Sequence, residues 1–500
     1  MDTESQANAR LLAEATLLRV RGHLDEAERN LTNLLGRVPG HAQAWRELGH
    51  LRVRRQDWSG AERAFEELLR LRPAEAGAWN DLGAALQRQL RDPEAEQAFR
   101  KALDIEPELP DVLSNLGLSL CRTQRLEEAE QVLRQAVALD VRYGVAWHNL
   151  ALVHRQRGDR RQLLGALEKA VDLQPANPEF RLFRALTLLE EGRFEEGWPE
   201  WEWRWMGSPH AGPPPRPDLP RWNGEPLLGK RLLVVAEQGY GDIIQCLRFL
   251  PRLAALGPVA LEIPGPLLPL VRSQGWPVDL FVSSQARLPA DLVIPIMSLP
   301  RALRLHREQQ FGGEPYLKAD PERIPVWRER FQEWPGLRVG LAWTGNPLNP
   351  GNTERSLPLD LCATLLDLPG VSWVSLQKHS GEGQLQARFP GAPIYDAAPH
   401  LVDFADTAAA IEALDLVVSV DTAVAHLAGA LGKPVRLLIT EPGEWRWMRD
   451  RRDTPWYGRH KLYRQPVPGA WAPAVEALAD ELTSTDGSSG RAASPTTAWT

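Results

Sequence analysis

A fixed period constrains this chain more tightly than any other feature. Trp45-Arg-Glu-Leu48-Gly49, Trp79-Asn-Asp-Leu82-Gly83, Leu113-Ser-Asn-Leu116-Gly117 and Trp147-His-Asn-Leu150-Ala151 begin 34 residues apart. Sixteen residues after the first three starts stand Ala61, Ala95 and Ala129, then come Phe65, Phe99 and Leu133; Pro73, Pro107 and Pro175 close three of the units. Each unit spells helix, turn, helix, stop. A small residue sits where two helices cross closely, a large one fills the next layer, and proline ends a helix.

That period is the tetratricopeptide one. An all-α solenoid of about six units is expected over 1–206, with degenerate terminal units because an end repeat has only one neighbour. The last unit runs into Trp198, Trp201, Trp203 and Trp205, either an aromatic plug against the next domain or a ligand-stacking platform. Asn80, Asn115 and Asn149 fall on the first helices, which line the inner groove in this architecture. There they hold the backbone of a protein or peptide partner, or simply face water.

Five hundred residues exceed a single core, so further domains are required. A net charge of −7 without a basic block argues against a nucleic-acid partner. Met1 to Arg10 is polar, and no apolar run reaches the roughly 18 residues of a transmembrane segment. A cytoplasmic location is expected. Cys121, Cys246 and Cys362 lie far apart, without metal-site spacing, and are expected to be buried small hydrophobes.

A Pro/Gly-rich linker is expected over 207–224. Beyond it short β-branched runs alternate with helical stretches: 231–236, 259–263 and 291–296, then 338–343, 371–376, 414–420 and 434–439. Alternation of this kind means parallel sheets, here two Rossmann-like lobes over 225–334 and 335–482 with ligands at the strand ends. A disordered tail is expected over 483–500.

Three loops can carry chemistry. The first strand runs into Gly239-Tyr240-Gly241-Asp242, followed by Gln245. Asp242 either caps a helix, with Gln245 completing a capping box, or takes a proton from an acceptor that the glycines admit. A second loop holds Thr344, Gly345, Asn346 and Arg355, whose guanidinium suits phosphate; Gln377 and Lys378 end the next strand. The third is Ser419-Val-Asp421-Thr422-Ala-Val-Ala-His426, a helix start after a buried strand, with His426 one turn in. Such an N-terminus is a natural diphosphate seat.

With Gly340-Leu-Ala-Trp-Thr-Gly-Asn-Pro and Ser419 to Gly432, the Gly239 loop resembles bacterial tetratricopeptide-repeat proteins carrying a heptosyltransferase-like glycosyltransferase domain. The resemblance implies an α/β GT-B unit, a nucleotide-diphospho-sugar co-substrate on the C-terminal lobe, no cofactor and no required metal. It implies a base at Asp242, and diphosphate contacts from Asp421, Thr422 and His426. Ala423 replaces the family's glycine, and Arg355 stands for a lysine often found in the preceding loop. The expectation is a metal-independent inverting glycosyltransferase, catalytic at Asp242 and His426, with donor contacts from the second and third loops and an acceptor loop at Gly239, Tyr240 and Gly241. The alternative is a non-catalytic adaptor with a degenerate GT-B domain.

Overall fold

The computed structural model describes residues 3–207, 214–282, 289–349, 351–378, 381–441 and 443–484. The core of the expected linker, 208–213, and the tail from 485 lie outside the described residues. No described helix is long and apolar enough to cross a membrane.

The chain divides into two compact units, Met1–Arg181 and Leu182–Thr500. Helices pair in sequence order: Thr3–Arg21 with Leu24–Arg37, Ala42–Arg54 with Trp58–Leu71, Ala76–Arg88 with Asp92–Ile105, Pro110–Arg122 with Leu126–Leu139, and Gly144–Arg157 with Arg160–Leu173. A sixth pair, Pro178–Glu190 and Phe194–Trp201, straddles and follows the division. The size-matching read from the sequence is observed directly. A Cβ added to Gly83 would come within 2.5 Å of the Phe99 ring, and Gly49 and Gly117 meet Phe65 and Leu133 in the same way. The turns within the pairs repeat as well: Gly22, Gln56, Leu90, Gln124, Gly158 and Gly192, each 34 residues on, all have positive φ. Three of them are not glycine and hold a conformation that costs an L-residue roughly 1–2 kcal/mol.

The unit boundary falls earlier than the expected linker, because the Trp run is built into the second unit. Trp198 Nε1 donates to the Leu305 carbonyl at 2.6 Å, and its ring meets Phe311 and Trp445 edge-on. Arg204, only 1% exposed, donates from Nε and Nη2 to the two oxygens of Glu237 and also to Ser298. These contacts pack the last aromatic helix, the second of the sixth pair, into the α/β core.

The second unit holds two all-parallel sheets. Strands β1 (Leu232–Val235), β2 (Val259–Ile263), β3 (Asp279–Val282) and β4 (Leu292–Pro295) lie in the order β3-β2-β1-β4. The larger sheet comprises β5 (Leu337–Ala342), β6 (Val371–Ser375), β7 (Ile394–Asp396), β8 (Leu416–Val420), β9 (Val435–Ile439) and β10 (His460–Arg464), ordered β10-β9-β8-β5-β6-β7. Counted within its own lobe this is the Rossmann order, whose direction reverses between β5 and β8. Ligand crevices open at the carboxyl ends there, where Ala342 and Ser419 pair and the chain leaves for the loops singled out above. Helix Tyr240–Leu247, after β1, packs against helix Ala423–Ala430, after β8, and so brings the first and third loops together.

Candidate functional site

Helix Tyr240–Leu247 is capped three residues before the expected position. Gly239 is its N-cap, and Asp242 sits at the third helical position, with Oδ2 accepting from Gly239 N at 2.8 Å. Asp242 is therefore the distal half of a capping box; Gln245 is not its partner. Gln245 is fully buried, and its Oε1 accepts from Arg446 Nε at 2.8 Å. The closeness of the two helices depends on glycine: a Cβ on Gly241 would lie 2.6 Å from His426 Cδ2. Tyr240, half exposed beside it, sets its ring 5.0 Å from that of Phe404.

His426 is 3% exposed. Its Nδ1 shares a hydrogen bond with Tyr457 Oη at 2.8 Å, and its Nε2 stands 3.7 Å from Asp421 Oδ1. Asp421 Oδ2 lies 3.5 Å from Arg355. Burial alone would raise the Asp421 pKa, but His426, Arg355 and Arg446 outweigh it and hold the carboxyl well below its ordinary range.

Arg446 is the hub that the sequence reading missed. Its Nη2 pairs with Asp242 Oδ1, its Nη1 donates to Glu444 Oε2 at 2.5 Å, and its carbon centre stacks 4.3 Å over the Trp445 ring. Burial opposes its charge, yet Asp242, Glu444 and Asp421 together raise its pKa. Glu444 also reaches Arg355 at 3.3 Å from its other oxygen, while its side chain stays 39% exposed. Asp242, Arg446, Glu444, Arg355, Asp421 and His426 thus form one continuous network drawn from both lobes. The available signal was Trp445-Arg446-Trp447, an arginine between two aromatics that must be buried. Met448 follows at φ 50°, ψ −170°, a sparsely populated conformation of the kind that clusters at functional sites.

The second-loop residues serve mainly to hold that loop. Gln377, buried, accepts from Trp343 N and Thr344 N and donates to the Thr344 carbonyl. Asn352 accepts from Gly345 N and donates to Thr344 Oγ1, and Asn346 closes a turn onto Leu348 N. This scaffold presents the short helix Asn352–Arg355 and with it the Arg355 guanidinium. Lys378 Nζ donates to the Ala398 carbonyl at 2.6 Å. Ser419 is fully buried, its hydroxyl engaged with the Val420 carbonyl and Thr422 Oγ1; Thr422 is the N-cap of helix Ala423–Ala430.

In the array, Asn80 and Asn115 join in a ladder: Asn115 donates to Asn80, which donates to Asp111. Asn149 differs from both. It is 3% exposed and donates to the Ser114 carbonyl and hydroxyl, so its amide ties neighbouring repeats together.

A model of glycosyltransferase family 9 (heptosyltransferase) matches residues 375–453, a span that includes Asp421, His426, Glu444 and Arg446. A tetratricopeptide-repeat model matches 12–52 and 148–202, and the middle TPR-like domain of cilia and flagella-associated protein 70 matches 71–174. The chain thus joins tetratricopeptide-type repeats to a segment that matches the glycosyltransferase family 9 model. Protein FlbA of Caulobacter vibrioides (strain ATCC 19089 / CIP 103742 / CB 15) is 29% identical over 373 residues, 68% of this chain and 61% of that protein. The chain thus spans about three-fifths of the length of that relative. Among solved structures, YrrB, a TPR protein with an unusual peptide-binding site, is 20% identical with a TM-score of 0.30, over 35% of this chain and 94% of its own. The type IV pilus biogenesis factor PilW is 18% identical with a TM-score of 0.37, over 42% and 97%. The Cut9–Hcn1 hetero-tetramer of the APC/C is 17% identical with a TM-score of 0.38, over 41% and 40%.

Within the family 9 segment lie the third loop and the Glu444–Arg446 turn; Asp242 and Arg355 come from outside it. The network therefore joins a family-matched stretch to residues that only the tertiary fold supplies.

Proposed function

We propose that this chain is a glycosyltransferase. It moves a sugar, with inversion and with no required metal or cofactor, from a nucleotide-diphospho-sugar to an acceptor, through a GT-B unit formed by the two parallel-sheet lobes. The observation that carries it is the meeting of Gly241-Asp242 with His426, Asp421 and Arg446 of the family 9 segment, at the carboxyl ends of β1 and β8. In the transfer the acceptor oxygen attacks the anomeric carbon from the face opposite the leaving group, and its proton passes to Asp242. The carbon–oxygen bond to the diphosphate breaks with oxocarbenium character, and Arg355, Arg446 and the helix start at Thr422 neutralise the departing charge. Protein or peptide acceptors fit a chain whose first 200 residues are tetratricopeptide repeats, with Asn80 and Asn115 as groove donors. Three free, buried cysteines fit a reducing compartment such as the cytoplasm.

A thermal-shift panel of UDP-, GDP-, ADP- and CMP-sugars, followed by donor hydrolysis in Asp242→Asn and His426→Ala, tests the assignment. One sugar nucleotide is expected to stabilise the chain, and Asp242→Asn to lower turnover by 10²-fold or more. Silence across the whole panel would overturn the enzyme; unchanged turnover in Asp242→Asn would overturn only the base. A second function, a non-catalytic adaptor, is favoured by one observation: both oxygens of Asp242 are engaged and His426 is buried.

A further inference from the structure

Glu444 holds two arginines at once, one with each oxygen. Oε2 takes Arg446 Nη1 at 2.5 Å and Oε1 takes Arg355 Nη1 at 3.3 Å, the bridging that a phosphoryl group makes between two guanidiniums. Around it three carboxylates, Asp242, Asp421 and Glu444, meet two guanidiniums. A dianionic ligand entering such a set must expel a carboxylate. Of the three, Glu444 is the one free to leave: its side chain is 39% exposed, against 22% for Asp242 and 10% for Asp421.

The arginines, by contrast, are fixed. Arg446 is 6% exposed, stacked on Trp445 and held at Nε by Gln245, while Arg355 projects from the short helix that the Thr344–Asn352 bonds secure. The Gln245 carboxamide leaves its own buried Nε2 without a protein acceptor, a further donor beside Arg446. We propose that Arg355 and Arg446 form the seat for the donor's diphosphate, a seat that Glu444 fills from within the chain and yields when the diphosphate displaces it. The inference rests on the nucleotide-diphospho-sugar reading above. Exchange also gives Arg446 a competing anion, which loosens its hold on Asp242 and frees that carboxylate for the acceptor proton.

The test is calorimetric titration of the full chain with inorganic pyrophosphate and with UDP, GDP and ADP, in wild type, Glu444→Gln, Glu444→Asp and Glu444→Gln/Arg355→Gln, with melting curves to check folding. Glu444→Gln is expected to bind pyrophosphate and one nucleoside diphosphate tenfold or more tighter than wild type. Glu444→Asp, too short to span both arginines, should show a smaller gain and stands in if the glutamine variant misfolds. The double variant should lose the gain. If wild type binds a nucleoside diphosphate and Glu444→Gln binds it no tighter, the seat is overturned while the donor assignment stands. If Glu444→Gln gains affinity for pyrophosphate but no variant binds a nucleotide, the seat stands and the donor assignment falls. Absence of binding throughout overturns both.

Discussion

In the repeat array, Arg100 and Arg125 reach across a turn of the solenoid to Glu128 and Glu96, with the two arginine side chains 44% and 43% exposed although Glu96 itself is buried. In the α/β unit, Arg204 and Arg446 are almost wholly buried and pair with Glu237 and Asp242. The Arg125–Glu96 pair repeats Arg91–Glu62, each joining residues 29 positions apart, one repeat unit further along the chain. Asp242 and Arg446 lie 204 positions apart, and no repeat carries the information. Exposed pairs of the first kind contribute little; in the second kind each charge depends on its partner, because water cannot replace it.

The sharpest way to break that contrast is Arg204→Ala, which strands the buried Glu237 carboxylate. It should destabilise the second unit by about 3–5 kcal/mol in urea unfolding followed by tryptophan fluorescence, and Arg204→Met with Glu237→Leu should cost less than Arg204→Ala alone. A cost below that of an ordinary surface change would mean that the pair is not structural.

His460 sharpens the same contrast through pH. It lies buried between the Trp447 and Tyr457 rings, and burial, followed by repulsion from His426, lowers its pKa to about 3. The unfolded chain takes up this proton below about pH 6.5 while the folded chain does not, so stability falls as pH drops through that window and levels off only near the folded value. Between pH 7 and pH 5 the loss should be about 2 kcal/mol, and His460→Leu should remove that slope from paired urea melts.

In the array the corresponding lever is shape. Gly83→Ala should cost about 1–3 kcal/mol by forcing a Cβ onto Phe99, less whatever alanine gains in helix propensity. Adding Phe99→Leu should recover part of it, because the chain itself pairs Ala151 with Leu167 in the same two registers two units on. The smallest effect is a gain: Leu90→Gly, at an exposed turn with φ 60°, should stabilise by about 0.5–1 kcal/mol in thermal melts.

The strands that the sequence displays and those that it hides differ by position. Those matching 231–236, 259–263, 291–296, 338–343, 371–376, 414–420 and 434–439 are buried apolar runs; six of them lie between two neighbouring strands, and the seventh, β4, lies at an edge where Arg221 bridges to Val293. The strands without a signal, β3, β7 and β10, are all at sheet edges, where one side is open and the apolar run is interrupted. At the site, Asp242, His426, Asp421 and Arg355 were visible because glycine-rich turns and helix starts mark strand ends. Arg446, Glu444 and Tyr457 were not, because nothing in their spacing refers to the loops they meet.

The sequence by itself determined the solenoid, since a local period dictates which helix meets which, and it determined that two parallel sheets follow. Tertiary structure alone decided where the second unit begins, at Leu182 rather than after a linker, because Trp198 and Arg204 are buried there by Leu305, Phe311 and Glu237. It also decided what Asp242 and His426 face. Their partners arrive from strands and turns far along the chain, and a contact between distant residues is set by packing, which a sequence pattern records only where it repeats.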